Sequence, residues 1–222
     1  MCIRDRKYGV ATIVDNTFAT PVLWKPLDYG ADIVIHSATK YLSGHGNITA
    51  GVLCGNDKNI MKSALEYKKY TGHMISPDDA YRLHTQIQSF RLRFREQMEN
   101  AFRISEFLQK SPHIRKIWYP GLESHPTHKE AVSLFRNKGF GAMITLDFNG
   151  ETKEKKRIKR DRFISSVSDK IKLIPSLGDS KSTLLPVESV WGAKYPEPGM
   201  IRLSVGIEEF CELEQVLRSA LP

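Results

Sequence analysis

The 222-residue sequence is poor in cysteine, with only Cys2, Cys54 and Cys211. An odd, widely spaced set supports neither a disulfide framework nor a zinc site, and a reducing, cytoplasmic setting is expected. Long apolar runs are missing too: none approaches the roughly 20 residues needed to cross a bilayer, and no signal-peptide pattern is read. Histidines are badly placed for a metal. His125 and His128 have Pro126 between them and no acid or cysteine at ligand spacing, so a turn before a helix is expected there and no metal site. Internal repeats are absent.

What is present describes an ordinary globular chain, 41% hydrophobic and 26% charged, long enough to bury a sizeable core. Its 33 basic against 25 acidic residues leave a formal charge of +8. Much of that excess lies in Lys153-Glu-Lys-Lys-Arg-Ile-Lys-Arg-Asp-Arg162. Nothing aromatic is interleaved there to stack on bases, so the run reads as the solvated face of a surface helix. Neither nucleic acid nor a membrane is expected as a partner.

Two short apolar stretches end abruptly in chemistry. Val10-Ala-Thr-Ile-Val14 is β-branched and is followed by Asp15-Asn-Thr-Phe18. Ala31-Asp-Ile-Val-Ile35 reads as a buried strand and is followed by His36-Ser-Ala-Thr-Lys-Tyr41. In open α/β sheets ligands sit beyond the carboxyl ends of the strands. Ser37, Thr39 and Lys40 are therefore placed to hold a small phosphorylated molecule, with Asp15 at the neighbouring tip. A lysine to carry an aldehyde, a carboxylate to face a pyridinium nitrogen and hydroxyls for a phosphate are what pyridoxal phosphate (PLP) requires.

Val14-Asp-Asn-Thr-Phe18, His36-Ser-Ala-Thr-Lys-Tyr41, Gly44-His-Gly46, Gly139-Phe-Gly-Ala-Met143 and Ile201-Arg-Leu-Ser-Val-Gly-Ile-Glu208 together resemble the Cys/Met-metabolism PLP enzymes. That family includes cystathionine γ-synthase, cystathionine γ- and β-lyases, methionine γ-lyase and O-acetylhomoserine sulfhydrylase. The resemblance runs from about Tyr8 to the C-terminus. It implies α/β architecture: the C-terminal part of a fold-type-I large domain, followed by a small C-terminal α/β domain. It also implies that Lys40 carries the cofactor and moves protons, that Asp15 pairs with the ring nitrogen, and that Ser37 and Thr39 hold the phosphate. Arg202, an arginine inside the apolar run Met200-Ile-Arg-Leu-Ser-Val205, reads by itself as one side of an internal salt bridge. The resemblance offers the substrate α-carboxylate instead, with Ser176 nearby and Arg93 at the domain junction.

The implied reaction is elimination or replacement at the γ- or β-carbon of an amino acid in sulfur metabolism, by a homotetramer of dimers with shared sites. The same resemblance places a further half-domain before this chain, so Met1–Arg6 reads as an adventitious leader on an N-terminally truncated sequence. One departure stands out. After Ser176-Leu-Gly178 many members carry His-Pro and then Thr-His, whereas the stretch Asp179 to Pro196 contains no histidine. Another fold-type-I PLP enzyme, such as an aminotransferase, would share the Lys, Asp and Arg roles. A non-enzymatic basic binding module is the reading from a different class.

Along the chain, Ala50 to Cys54 reads as a third strand. Ser76-Pro-Asp-Asp79 is a helix start, with a hydroxyl cap, proline in the first turn and acids behind it. Apolar spacing then predicts one long helix running to Pro112. Domains are expected at 1–112 and 113–222. The second is expected to hold strands at 114–119, 142–148, 171–174 and 200–205, with helices at 129–137, over the basic run and at 208–220.

Overall fold

The computed structural model describes residues 7–192 and 197–221, so residues 1–6, expected to be a leader, and part of the histidine-free stretch lie outside the described residues. The chain divides into two compact units between Arg91 and Leu92.

The first unit holds a three-stranded sheet in the order β1-β2-β3, made of β1 (Ile13–Asp15), β2 (Ile33–Ser37) and β3 (Gly51–Gly55). Strands β1 and β2 run parallel, with Asp15 opposite Ile35. Strand β3 returns antiparallel, with Gly51 opposite Ser37. A parallel pair needs a crossover. Here it is made by α1 (Thr20–Leu23) and a 3-10 turn at Pro26–Tyr29, each with proline in its first turn.

The first strand is shorter and more open than its β-branched run suggests. It starts at Ile13 rather than Val10, and Ile13 is 62% exposed. Among the described residues β1 pairs only with β2, which makes it an edge of this sheet. Helix α2 (Lys58–Thr71) follows, capped by Asp57, whose carboxylate accepts from the amides of Asn59 and Ile60. Helix α3 (Pro77–Gln86) starts where the cap signal placed it, the Ser76 hydroxyl accepting from Asp79 N at 3.0 Å.

The single long helix expected from Ser76 to Pro112 is broken. A 3-10 turn at Ile87–Ser89 separates α3 from α4 (Phe90–Gln109). Side chains compete with the backbone at this point: the Thr85 hydroxyl donates to the Arg82 carbonyl and the Ser89 hydroxyl to that of Gln86. Such local bonds loosen the regular helical ladder. Most of α4 belongs to the second unit, whereas the apolar pattern had grouped this segment with the first.

The second unit is a five-stranded sheet in the order β4-β5-β8-β7-β6. Its strands are β4 (Ile114–Trp118), β5 (Met143–Phe148), β6 (Lys172–Leu173), β7 (Thr183–Pro186) and β8 (Met200–Ser204). All neighbours are antiparallel except β6 and β7. Its helices are α5 (His128–Phe135), α6 (Lys153–Val167), α7 (Val187–Trp191) and α8 (Phe210–Ala220). Ile144, Leu146, Phe148, Phe163, Leu184, Ile201 and Leu217 form its core, each at most 2% exposed.

The basic helix α6 is not simply a solvated face. Lys156 bridges Asp147 and Glu197, while Arg157 and Arg160 share Glu188. Arg160 is buried and also donates to the Pro198 carbonyl at 2.6 Å. The countercharges come from β5 and from segments near α7 and β8, distant in sequence. At 125–128 the expected turn is present, with His128 Nδ1 2.8 Å from the Pro120 carbonyl. Among the described residues no cluster of three or more His, Cys, Asp or Glu could hold a metal. No helix among them is long and apolar enough to cross a membrane.

Candidate active site

The first unit brings Asp15, Ser37, Thr39 and Lys40 together. Parallel pairing sets the carboxyl ends of β1 and β2 side by side, with Asp15 closing one strand and Ser37 the other. Asp15 Oδ1 accepts from Thr17 N at 2.9 Å, a tight turn that leaves Oδ2 for another donor. The Thr17 hydroxyl in turn accepts from Ser37 N at 2.8 Å, and Asn16 N donates to the Ile35 carbonyl at 2.9 Å. Thr17 and buried Asn16 thus splice the two tips. The Asp-Asn-Thr sequence was noticed for its acid alone, and the splice becomes visible only when the parallel pairing is known.

Beyond Ser37 the chain folds into consecutive tight turns. Lys40 N donates to the Ser37 carbonyl at 3.2 Å, Ser43 N to Ala38 at 3.0 Å and Gly44 N to Lys40 at 2.8 Å. Gly44 and Gly46 adopt left-handed φ of 68° and 60°, where a side chain would be strained. Ala38, Tyr41 and Leu42 are buried and anchor these turns, while Lys40 is half-buried. The Thr39 hydroxyl holds the turn against the start of β3, accepting from Ala50 N at 3.0 Å. The Ser37 hydroxyl makes no hydrogen bond among the described residues.

Thr20, buried and bonded through its N–H to the Asn16 carbonyl, has a φ of 60°. A β-branched residue in that region is an outlier of the kind found where a binding surface is held in a fixed shape. His36 is buried on β2, and burial lowers its pKa against the opposing pull of Asp15.

The second unit brings Ser176 and Arg202 together. Arg202, half-buried on β8, donates from Nη2 to the Ser176 carbonyl at 3.0 Å. The segment that follows Ser176 is laced down along its length. Gly178 N donates to the Ser204 hydroxyl at 2.9 Å, Gln97 Nε2 to the Asp179 carbonyl at 2.7 Å and Ser182 N to Glu208 Oε1 at 2.6 Å. Arg93 is buried on α4, where burial lowers its pKa and the charge of Asp179 opposes that shift. Sequence reasoning missed Gln97, Ser182, Ser204 and Glu208 as supports, although the last two lie inside a quoted motif.

The donor set fits the expected cofactor. A carboxylate and a hydroxyl residue end the two strands of a parallel pair, and a second hydroxyl and a lysine follow within three residues, the residue types that a phosphorylated pyridine aldehyde requires.

Comparison with known proteins agrees with this geometry. Residues 2–222 match the family described as Cys/Met metabolism PLP-dependent enzyme. An L-methionine gamma-lyase of Fusobacterium nucleatum subsp. polymorphum is 37% identical over 219 residues, covering 92% of this chain and 53% of that protein. A cystathionine beta-lyase of Coxiella burnetii is 32% identical over 226 residues, covering 97% and 56%. The crystal structure of cystathionine gamma synthase from Xanthomonas oryzae pv. oryzae in complex with aminoacrylate and cysteine superposes with a TM-score of 0.89 at 32% identity, covering 98% of this chain and 56% of that one. The chain spans about half the length of the curated relatives it matches.

Proposed function

The chain belongs to the Cys/Met metabolism PLP-dependent enzymes, and from that premise we propose that it supplies the lysine-bearing part of an enzyme that eliminates or replaces a group on the γ- or β-carbon of a sulfur-containing or activated amino acid. The observation that carries this reading is the splice of the Asp15 and Ser37 tips, followed directly by Lys40.

When bound, PLP supplies an electron sink that makes a carbanion at the substrate α-carbon tolerable. Lys40 would anchor the cofactor through its amine and then take and return protons on the substrate skeleton. Asp15 holds a proton on the ring nitrogen through its open oxygen. The Ser37 hydroxyl would donate to the phosphate, and that of Thr39 would do so on leaving its long 3.4 Å contact with the Ala50 carbonyl. Arg202 holds the substrate carboxylate with its planar fork, for which arginine is suited, and Ser176 orients that fork. The unit ending at Arg91 would serve as the cofactor domain and the unit from Leu92 as the small domain.

The working enzyme is a cytoplasmic homo-oligomer in this proposal. Tyr8, Val10, Ile13 and Phe18 are each more than half exposed, which is apolar surface that an assembled enzyme would cover.

The test is to incubate the 222-residue chain with PLP, reduce with borohydride and map the modified peptides by mass spectrometry. A pyridoxyl group on Lys40 alone is the expected result. Labelling scattered over other lysines, or undiminished in K40A, would overturn the assignment.

A further inference from the structure

The peptide bond that precedes Lys40 is held at both of its ends. Its N–H, on Lys40, donates to the Ser37 carbonyl at 3.2 Å. Its carbonyl, on Thr39, accepts from the Ser43 hydroxyl at 3.1 Å, and the same hydroxyl reaches the Lys40 carbonyl at 3.4 Å. Ser43 is fully buried, so this donor is sheltered from water. Ser43 is itself fixed on both sides. Its N–H donates to the Ala38 carbonyl at 3.0 Å, and its carbonyl lies 2.5 Å from His45 Nδ1, a bond to which the ring brings the proton. Gly44 between them has a left-handed φ of 68°, which lets the chain turn back at that point.

Serine hydroxyls commonly bond a carbonyl three or four residues back. Here those carbonyls belong to Lys40 and to the residue just before it. The Lys40 carbonyl is also taken by Gly44 N at 2.8 Å, so the Ser43 hydroxyl matters most to the Thr39 carbonyl. Without it the Thr39–Lys40 peptide plane keeps its N–H tie to Ser37 and can tilt about that tie. Such a tilt changes φ of Lys40 and with it the rotamers open to the side chain. The amine lies at the end of a four-carbon stem and is displaced most. A misplacement of about 1 Å can cost a reacting group about 10²-fold. We propose that Ser43 is the positioning residue for Lys40: its buried hydroxyl fixes the peptide plane ahead of the lysine and so aims the amine at an aldehyde carbon. The inference rests on the reading of Lys40 as cofactor anchor given above.

The test uses the full chain with two aldehydes, PLP and pyridoxal, which lacks the phosphate. Each condenses with a lysine amine with loss of water, and borohydride reduces the C=N bond that forms. Peptide mass spectrometry then reads labelling of Lys40 relative to exposed Lys153. In the unmodified chain PLP is expected to label Lys40 ahead of Lys153. In S43A the Lys40 to Lys153 ratio is expected to fall about fivefold to tenfold, the effect of one sheltered hydrogen bond, and by the same factor with either aldehyde. S43T, which keeps the hydroxyl, restores it. An unchanged ratio in S43A overturns the proposal. So does a fall with PLP alone, which would place the effect on the phosphate, and so do equal losses in S43A and S43T, which would place it on packing. Absence of any preference for Lys40 in the unmodified chain with PLP instead removes the Lys40 reading and this inference with it. Should S43A fail to fold by circular dichroism, S43C, a weaker donor of similar size, takes its place under the same outcomes.

Discussion

The hydroxyl of Thr17 accepts the backbone N–H of Ser37 at 2.8 Å, so the residue two past the Asp15 acid holds the first hydroxyl of the lysine turn. Two pieces of the chain 20 residues apart are locked at the point where both carry chemistry. T17V removes the acceptor but keeps the shape. An unpartnered amide at a sheltered position costs about 1–3 kcal/mol, so urea denaturation should show a loss in that range. PLP affinity, followed by absorbance, should weaken in the same variant, because Ser37 is no longer held.

Gly206 is crowded on three sides. A Cβ there would collide with the Glu208 carboxylate, lie 2.5 Å from the Ser180 carbonyl and lie 2.6 Å from Ser182 N. Gly206 N also donates to the Ser182 hydroxyl at 2.9 Å. Alanine at this position must push apart the whole Ser182–Glu208 contact. G206A is expected to cost about 3 kcal/mol, at the upper end of overpacking effects, and a melting curve measures it directly.

Asp147 is fully buried on β5, and its Oδ2 meets both Arg115 and Lys156. Its other oxygen has no hydrogen-bond partner among the described residues. R115A leaves this carboxylate buried with Lys156 as its remaining cation among the described residues and should cost about 3 kcal/mol. D147A should cost less, since Arg115 is partly exposed and Lys156 keeps Glu197. Equal losses in chemical denaturation would contradict this ordering.

Glu188 is held at a pKa of about 2, against an ordinary 4.5, chiefly by hydrogen bonds from Arg157 and Arg160. Its folded value lies below its unfolded one, so the stability it contributes is complete above 4.5 and is lost as pH falls toward 2. Melting temperatures of the unmodified chain should therefore drop more steeply across that window than those of E188Q. Parallel slopes would show that the arginine pair does not depend on the charge.

The strand tips and the Ser76 cap were legible because their signals are local: β-branched runs ending in polar residues, and a hydroxyl before Pro-Asp-Asp. Helix α2 was not read. None of its residues is buried, and Leu65, Tyr67 and Tyr70 are exposed, so its pattern carries no clear inward face. Strand β7 was missed because it has only four residues and ends in Pro186. The pairing of α6 with Asp147, Glu188 and Glu197 was illegible for another reason. A charge run shows its own sign but not the distant acids that neutralise it. Arg202 was legible only as an arginine in an apolar strand, while the contacts of Ser182, Ser204 and Glu208 depend on how β8 lies beside the 176–182 segment.

In the order β4-β5-β8-β7-β6 the middle strand is the last of the five to be synthesised. Until Met200–Ser204 leaves the ribosome, β5 and β7 have no neighbour between them, and the two halves of the sheet cannot be zipped. Growth of this unit is therefore expected to be late and abrupt rather than gradual. A nascent chain stalled before β8 should remain accessible to protease and to holding chaperones, and one released just beyond it should become resistant in a single step.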